Sequence, residues 1–407
     1  VAPERPPSCS IPSCDDEKLT ARPVVVTDGE SRPALAAVRS LGAAGIPVHV
    51  VATKRSSLAA CSRFALSEHV LPDPESAASG WAEALYRVAA SLPESLVLPV
   101  TEVAVGTIHE TGLADRCSVA APERAEYAVA VDKHVLLERA RAVGLDSPRG
   151  VLIEDPQRLG ELPKGFQFPA VVKARRSRWL EGDLWRRGGV QIARSESELR
   201  DAARDPGFAA GALVQEFVPG YGEGLFYLME HGTVRARFAH RRLREKPPWG
   251  GVSVLCESVR PDPEVARGCE RLLGDLGWHG VAMVEFRRSP EGRAALMEVN
   301  PRLWGSLQLA VDAGVDFPRL LVALYRGEAI EPVEPRIGVR SRWLLGDLDH
   351  LAIALRRRSA RQALGRSALG VLAEFGRSFF DGTRLDVCRR SDLGPFRSEL
   401  RDRLRRS

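Results

Sequence analysis

Met297-Glu298-Val299-Asn300-Pro301-Arg302 decides the fold when it is read with Glu285, a dozen residues upstream. Glu285 lies near the end of an apolar run, Val281 to Phe286. Ser289-Pro290-Glu291-Gly292 has the composition of a turn, and a second apolar run follows from Ala294 to Val299. Two such runs about a short turn predict a β-hairpin. On a strand Glu298 and Asn300 share one face. A turn centred near Pro290-Glu291 places Glu285 diagonally beside Glu298 on that face. Two carboxylates and an amide oxygen then converge beside buried strands. Burying two anions without counter-charge costs several kcal/mol. A hard cation such as Mg2+ removes that cost, because it takes oxygen ligands and shares them with substrate phosphates. Arg302 adds a planar fork suited to phosphate or carboxylate.

Working outward, lysine is scarce: six Lys stand among 58 basic residues. Each retained Lys therefore carries weight. Lys133 opens a helix that runs to about Ala142, behind Asp132 as a plausible N-cap. Lys173 ends the strand Ala170-Val171-Val172-Lys173. Lys246 lies in His240-Arg241-Arg242-Leu243-Arg244-Glu245-Lys246, which leaves a strand and enters the loop Pro247-Pro248-Trp249-Gly250-Gly251. A Pro/Gly loop dense in cations suits an anion held by charge-assisted hydrogen bonds, with Arg241 and Lys246 as the chosen contacts. Lys18, Lys54 and Lys164 fall in tail or loop segments.

Between these landmarks, Arg175 to Gly189 reads as an Arg- and Gly-containing loop, and Val190 to Ala193 as a strand. A helix over roughly Glu196 to Ala203 leads to the strand Ala212 to Val218. Further strands are expected at Gly224 to Met229 and Val234 to His240, and helices at Ser306 to Ala313 and Pro318 to Arg326. The N-terminal part opens with Val24-Val25-Val26-Thr27, a helix from Pro33 to Ala44, and a strand from Pro47 to Ala52. That is a β-α-β start and implies a parallel sheet. The strand Leu96 to Pro99 runs into Thr101-Glu102 and a helix, and such sheets place ligands at their strand-end loops. Beyond residue 330 the chain turns Arg-rich, with amphipathic helices expected over Trp343 to Arg358, Ala360 to Phe380 and Ser398 to Arg406. Leu348, Leu351, Leu355, Leu364, Leu369 and Leu372 offer a packable stripe.

Composition narrows the class. At 407 residues the chain holds two or three domains, and its 44% hydrophobic and 27% charged fractions are those of a globular protein. No run of eighteen apolar residues predicts a membrane span. The first 21 residues lack an apolar h-region and read as a disordered tail. The seven Cys are scattered without zinc spacing, which fits a reducing cytoplasm. A net charge of +5 is too mild to argue for nucleic acid. No Gly-x-Gly-x-x-Gly fingerprint supports dinucleotide binding. No Ser/His/Asp or Cys/His arrangement supports a side-chain nucleophile.

Glu285 followed by Glu298-x-Asn300-x-Arg302 resembles the metal-binding end of the ATP-grasp superfamily, with the carboxylate-amine ligase branch as the likeness in function. The resemblance runs over roughly residues 22 to 330. It implies an α/β architecture: two α+β subdomains clasping ATP, a Rossmann-like parallel-sheet domain before them and a helical extension after. The expected boundaries are 1–21 for the tail, 22–120 for the N-terminal domain, 121–330 for the ATP-grasp domain with a smaller lid at about 168–218, and 331–407 for the extension.

By the same resemblance, Glu285, Glu298 and Asn300 hold one or two Mg2+ (or Mn2+) ions, and Lys133 and Lys173 face the ATP phosphates. Gln215, Glu216, Phe217 and Val218 form the hinge that reads adenine through backbone groups. Gln215 departs from the Glu frequent there. Glu223 is the candidate for the ribose hydroxyls. Arg175 to Gly189 corresponds to the mobile phosphate loop, unusually rich in Arg. Arg302, Arg241 and Lys246 are the catalytic candidates. The implied reaction joins a small carboxylate to an amine through an acyl phosphate, releasing ADP and phosphate. Acceptor choice is expected at Asp28, Gly29, Thr101, Glu102 and the 241–251 loop, which suit an anionic or zwitterionic molecule such as an amino acid. A bicarbonate or formate kinase-like enzyme is the second option, and a non-catalytic nucleotide-binding module with Arg-rich helices is the third. Nucleic acid is not expected as a partner, and a homodimer is allowed.

Overall fold

Val24–Val26 (β1) is a run of valines with no polar alternation, the pattern of a strand covered on both faces, and it is fully buried. A computed structural model of the chain describes residues 22–155, 158, 162, 166–202 and 204–405. The expected tail with Lys18, and Lys164, lie outside the described residues. After β1 come α1 (Arg32–Ala43), β2 (Val48–Ala52), β3 (Ser67–Val70), α2 (Ala78–Ala90), β4 (Leu96–Leu98) and α3 (Glu102–Glu110). The strands form a parallel sheet in the order β3-β2-β1-β4. Ser31 caps α1 and Thr101 caps α3 through their side chains, as strand-to-helix turns favour. Asp28, expected at an acceptor loop, lines a pocket with Thr101 and Glu102 and also staples the ends of β1 and β4. Its carboxylate accepts from the backbone N–H of Val100 at 3.2 Å and of Thr101 at 3.1 Å.

Next follow α4 (Arg124–Val131) and α5 (Lys133–Ala142), the latter capped by Asp132 as read from sequence. Then come β5 (Gly150–Ile153), β6 (Ala170–Ala174), β7 (Arg178–Glu181), β8 (Leu184–Arg187), β9 (Val190–Ala193), α6 (Glu196–Ala202) and β10 (Ala212–Glu216). Their smaller antiparallel sheet has the order β5-β10-β6-β9, and β7 with β8 makes a separate hairpin. The expected loop over residues 175–187 is therefore a correction. Gly182-Asp183, with Gly182 at φ 64°, is a two-residue hairpin turn between Trp- and Leu-bearing runs.

The remaining elements are β11 (Tyr221–Glu230), β12 (Thr233–Lys246), β13 (Val252–Ser258), α7 (Pro263–Asp275), β14 (Gly280–Arg288), β15 (Ala294–Asn300), α8 (Leu307–Ala313), α9 (Phe317–Tyr325), β16 (Arg340–Arg342), α10 (Leu344–Arg356), α11 (Arg358–Leu364), α12 (Ala368–Arg377), β17 (Arg384–Leu385) and α13 (Gly394–Leu404). The large sheet has the order β15-β14-β11-β12-β13-β16-β17. One apolar core joins its outer face to α1 and the parallel sheet through Phe226, Trp304 and Phe317. Trp304 is 1% exposed, with Phe226 at 4.3 Å and Phe317 at 4.9 Å between ring centroids. A second core packs α5 and α7 on the opposite face.

The C-terminal segment differs from the expected run of helices. It adds β16 and β17 to the large sheet, and Gly365 at φ 61° breaks the expected 360–380 helix into α11 and α12. Leu369 and Leu372 are exposed, while Val371 is buried, so the predicted stripe turns outward in α12.

Candidate active site

Strand pairing brings the predicted carboxylates together. Glu285 of β14 lies directly opposite Glu298 of β15, not diagonal to it. The cause is a bulge: Glu285 pairs with Glu298 but Phe286 pairs with Leu296, so Met297 is the extra residue. Both glutamates line one cleft of about 1260 Å³ between the smaller sheet and the large one. Lys133 and Lys173 line it too. Lys173 Nζ lies 3.6 Å from Met297 Sδ, and Lys133 Nζ donates to Ser177 Oγ at 2.6 Å.

These charges set one another. Burial pushes Glu298 up, but Lys133, Lys173 and Arg302 outweigh it and hold its carboxyl below the ordinary range. Burial raises Glu285, and the neighbouring Glu298 and Glu245 add to that against the pull of Arg242. Burial lowers the Lys173 ammonium, and Lys133 and Arg287 reinforce the effect. One carboxylate of the pair is thus the ready anion and the other the reluctant one.

Arg242 is the site residue that the sequence reading missed. Its guanidinium reaches Glu285 at 2.6 Å and Glu245 at 3.1 Å, and all three line the cleft. Side chains alternate along a strand, so choosing Arg241 rather than Arg242 selects the wrong face. Arg241 pairs in register with Glu223 and Glu257 on the opposite face, and binds Glu257 at 2.6 Å. Glu223, expected at the ribose, shares that face and is held by Arg288 at 2.7 Å. Gly222, one residue away, lines the cleft, and a Cβ there would stand 2.7 Å from Arg242 Cδ. A register shift between Arg242 and Arg244 then brings Glu245 to the same cleft as Arg242. Lys246 is also redirected: Asp349 of α10 binds it at 2.7 Å, and the Trp343 ring lies 4.9 Å away.

The hinge candidates come together at the cleft. Gln215, Glu216, Phe217 and Val218 all line it, with Gln215 3% and Val218 4% exposed. Glu216 is fixed from outside by Arg293 at 2.8 Å and Arg149 at 3.2 Å. From the C-terminal segment Arg357 and Ser359 reach the cleft beside Trp249, which no sequence pattern signalled. Of the Arg-rich stretch only Ser177 lines it among the described residues. Arg175 is pinned to Asp132 at 2.8 Å and Arg186 to Glu181 at 2.6 Å.

Arg302 faces a second pocket of about 440 Å³, lined also by Thr101, Glu102 and Arg178. It donates to Asn300 Oδ1 at 2.8 Å, while Asn300 Nδ2 donates to Glu298 at 3.2 Å. Burial raises Glu102 against the pull of Arg302 and Lys133, with Glu298 adding to the rise.

Two opposed carboxylates and a neighbouring amide fit a hard cation in donor type. Among the described residues no group of three or more His, Cys, Asp or Glu forms a metal cluster, so substrate or water oxygens would complete the shell. The premise of uncompensated burial needs correction, since Arg242, Lys133 and Lys173 already supply counter-charge.

A small antiparallel sheet and a large sheet enclosing this cleft, with a parallel sheet before them in the chain, define an ATP-grasp fold. Among solved structures the chain is similar to a Campylobacter jejuni biotin carboxylase (13% identity, 79% of this chain, 75% of that one, TM-score 0.63). It is also similar to N5-carboxyaminoimidazole ribonucleotide synthetase from Thermus thermophilus (19%, 78%, 81%, TM-score 0.59). An L-amino acid ligase from Bacillus licheniformis gives 16% identity, 77% and 78% coverage and a TM-score of 0.57. No curated protein sequence matches the chain. Residues 211–346 match the family described as "ATP-grasp in the biosynthetic pathway with Ter operon", and the likeness to these solved structures is one of fold.

Proposed function

We propose that the protein is an ADP-forming carboxylate-amine ligase. The observation that carries the reading is the facing pair Glu285 and Glu298 at the end of a cleft that also presents Lys133, Lys173 and the Gln215–Val218 strand. Backbone groups after Gln215 suit an adenine edge, and the two lysines suit the phosphates. Glu285, Glu298 and Asn300 would hold Mg2+, which when bound neutralises phosphate charge. Arg242 and Arg302 flank these residues and stabilise charge as the γ-phosphoryl group moves to a carboxylate oxygen. The acyl phosphate so formed is attacked by an amine, and phosphate leaves. No side-chain nucleophile is required, because the chemistry rests on positioning and counter-charge.

The acceptor pocket of this reading is the one that Glu102, Arg178 and Arg302 line. Two arginines stand in this small pocket among four acids, Asp28, Asp73, Glu75 and Glu102, and both signs of charge suit a zwitterion such as an amino acid. ADP, AMP and phosphate release from ATP-Mg2+ should be measured against amino acids, carboxylates and bicarbonate, with Glu298→Gln as control. Substrate-stimulated ADP and phosphate, reduced at least about 100-fold in the variant, is the expected result. AMP with pyrophosphate would mean adenylation and overturn the mechanism. Stimulation by bicarbonate alone would transfer the reading to a carboxylase-type enzyme.

A further inference from the structure

The β7–β8 hairpin leaves the smaller sheet and seats on the N-terminal parallel-sheet unit. Trp185, 8% exposed, packs against Ala78 and Val103. Its indole Nε1 donates to Thr107 Oγ1 of α3 at 2.8 Å, and Thr107 is fully buried. The seat is built for the ring: a Cβ on Gly106 would lie 2.4 Å from Trp185 Cη2. Glycine inside a helix costs about 1 kcal/mol relative to alanine, so α3 gives up helix propensity for that space. Asp183 supplies the cap that α2 lacks, since Ala77 at its N-cap has no side-chain hydrogen bond. The Asp183 carbonyl accepts from Ala78 N at 3.2 Å and its carboxylate from Ser79 N at 2.7 Å. The same docking sets Arg178 into the pocket of Arg302 and Glu102, where Glu75 binds it at 3.0 Å.

We propose that this hairpin is a latch that delivers Arg178 as a specificity-determining residue. Closing the smaller sheet over the nucleotide and completing the acceptor pocket are then one event. The inference rests on the nucleotide and acceptor reading above. Ser177, one residue before β7, binds Lys133 in the nucleotide cleft, so one short segment spans both pockets. Glu75 occupies the guanidinium in place of an acceptor carboxylate, half-exposed and replaceable. Trp185 acts as a positioning residue, holding the hairpin while Arg178 meets the acceptor.

The test uses the full chain and a fluorescent probe, mant-ADP with Mg2+, chased by excess ADP. Gly106→Ala fills the seat while favouring the helix, and Trp185→Ala empties it. Both are expected to release mant-ADP about tenfold faster than wild type, a difference of one decade in dissociation. Arg178→Gln should leave release unchanged. It should raise KM about tenfold for whichever amino acid or carboxylate stimulates ADP formation, at unchanged KM for ATP. Equal release rates in wild type and Gly106→Ala overturn the latch while leaving the nucleotide reading intact. A wild type that does not bind mant-ADP overturns the nucleotide reading and the latch with it. An unchanged acceptor KM in Arg178→Gln overturns the role of Arg178.

Discussion

Arg241 and Arg242 are adjacent in sequence and stand on opposite faces of β12. Arg242 contacts Glu285 and Glu245 in the cleft, and Arg241 contacts Glu257 on the other side. Removing a buried cation leaves its carboxylate partners unpaired, at about 3–5 kcal/mol. Arg242→Met is therefore expected to lower kcat/KM by about 10²-fold or more, on the order of removing one transition-state donor. Arg241→Met should change it less than about threefold, since Arg241 is half-exposed on the face away from the cleft and Glu257 keeps Arg340 at 2.8 Å. Parallel ADP-release assays decide it, and equal losses would contradict the face assignment. Glu126 offers a pH signature. Burial, outweighing the backbone donors His279 and Glu123, pushes its carboxyl from 4.5 to about 7. The unfolded chain loses this proton near the ordinary value, while the folded one keeps it to about pH 7. Stability therefore falls as pH rises between the two, and stays lower above. Glu126→Gln should flatten that slope, narrowing the difference in thermal midpoint between about pH 5 and pH 8. An unchanged difference would show that Glu126 does not carry it.

At the scale of elements, much was legible where the signal is local. The capped α5, the valine strand β1 and the β14–β15 hairpin all follow from runs and turns contained in a few residues. The opposed glutamates were legible in kind but not in register, because the Met297 bulge depends on which strand pairs with which. Face assignment along β12 failed at Arg241 for the same reason, as parity along a strand needs its neighbours. Gly182-Asp183 was a readable turn signal, hidden by the expectation of a loop. The partnership of Asp183 with α2 could not be read, since donor and acceptor lie about a hundred residues apart. Asp347 of α10 is a similar long-range anchor. It is fully buried, bonded to Arg342 at 2.6 Å and Arg244 at 3.0 Å. Asp347→Ala strands two buried guanidinium groups and should cost about 3–5 kcal/mol. Denaturant titration with an unshifted midpoint would refute this.

For the whole molecule, the C-terminal segment is more than a helical cover. Arg357 and Ser359 reach the cleft, Asp349 holds Lys246, and β16 pairs with β13 through Leu255, Cys256 and Glu257. No helix among the described residues is long and apolar enough to cross a membrane. The sequence marked this segment as distinct by its arginine content, yet not that it continues the sheet, because a three-residue strand leaves almost no pattern. That continuation has a practical consequence for anyone trimming the protein to its recognisable core. A fragment ending near residue 330 would keep every proposed metal ligand but bare the backbone of β13, where Val254, Leu255 and Cys256 are now buried. An unpaired apolar strand margin is a template for intermolecular pairing. Such a fragment is expected to scatter light and sediment as aggregate where the full chain stays dispersed, and a clear monodisperse fragment would show that the margin is protected in some other way.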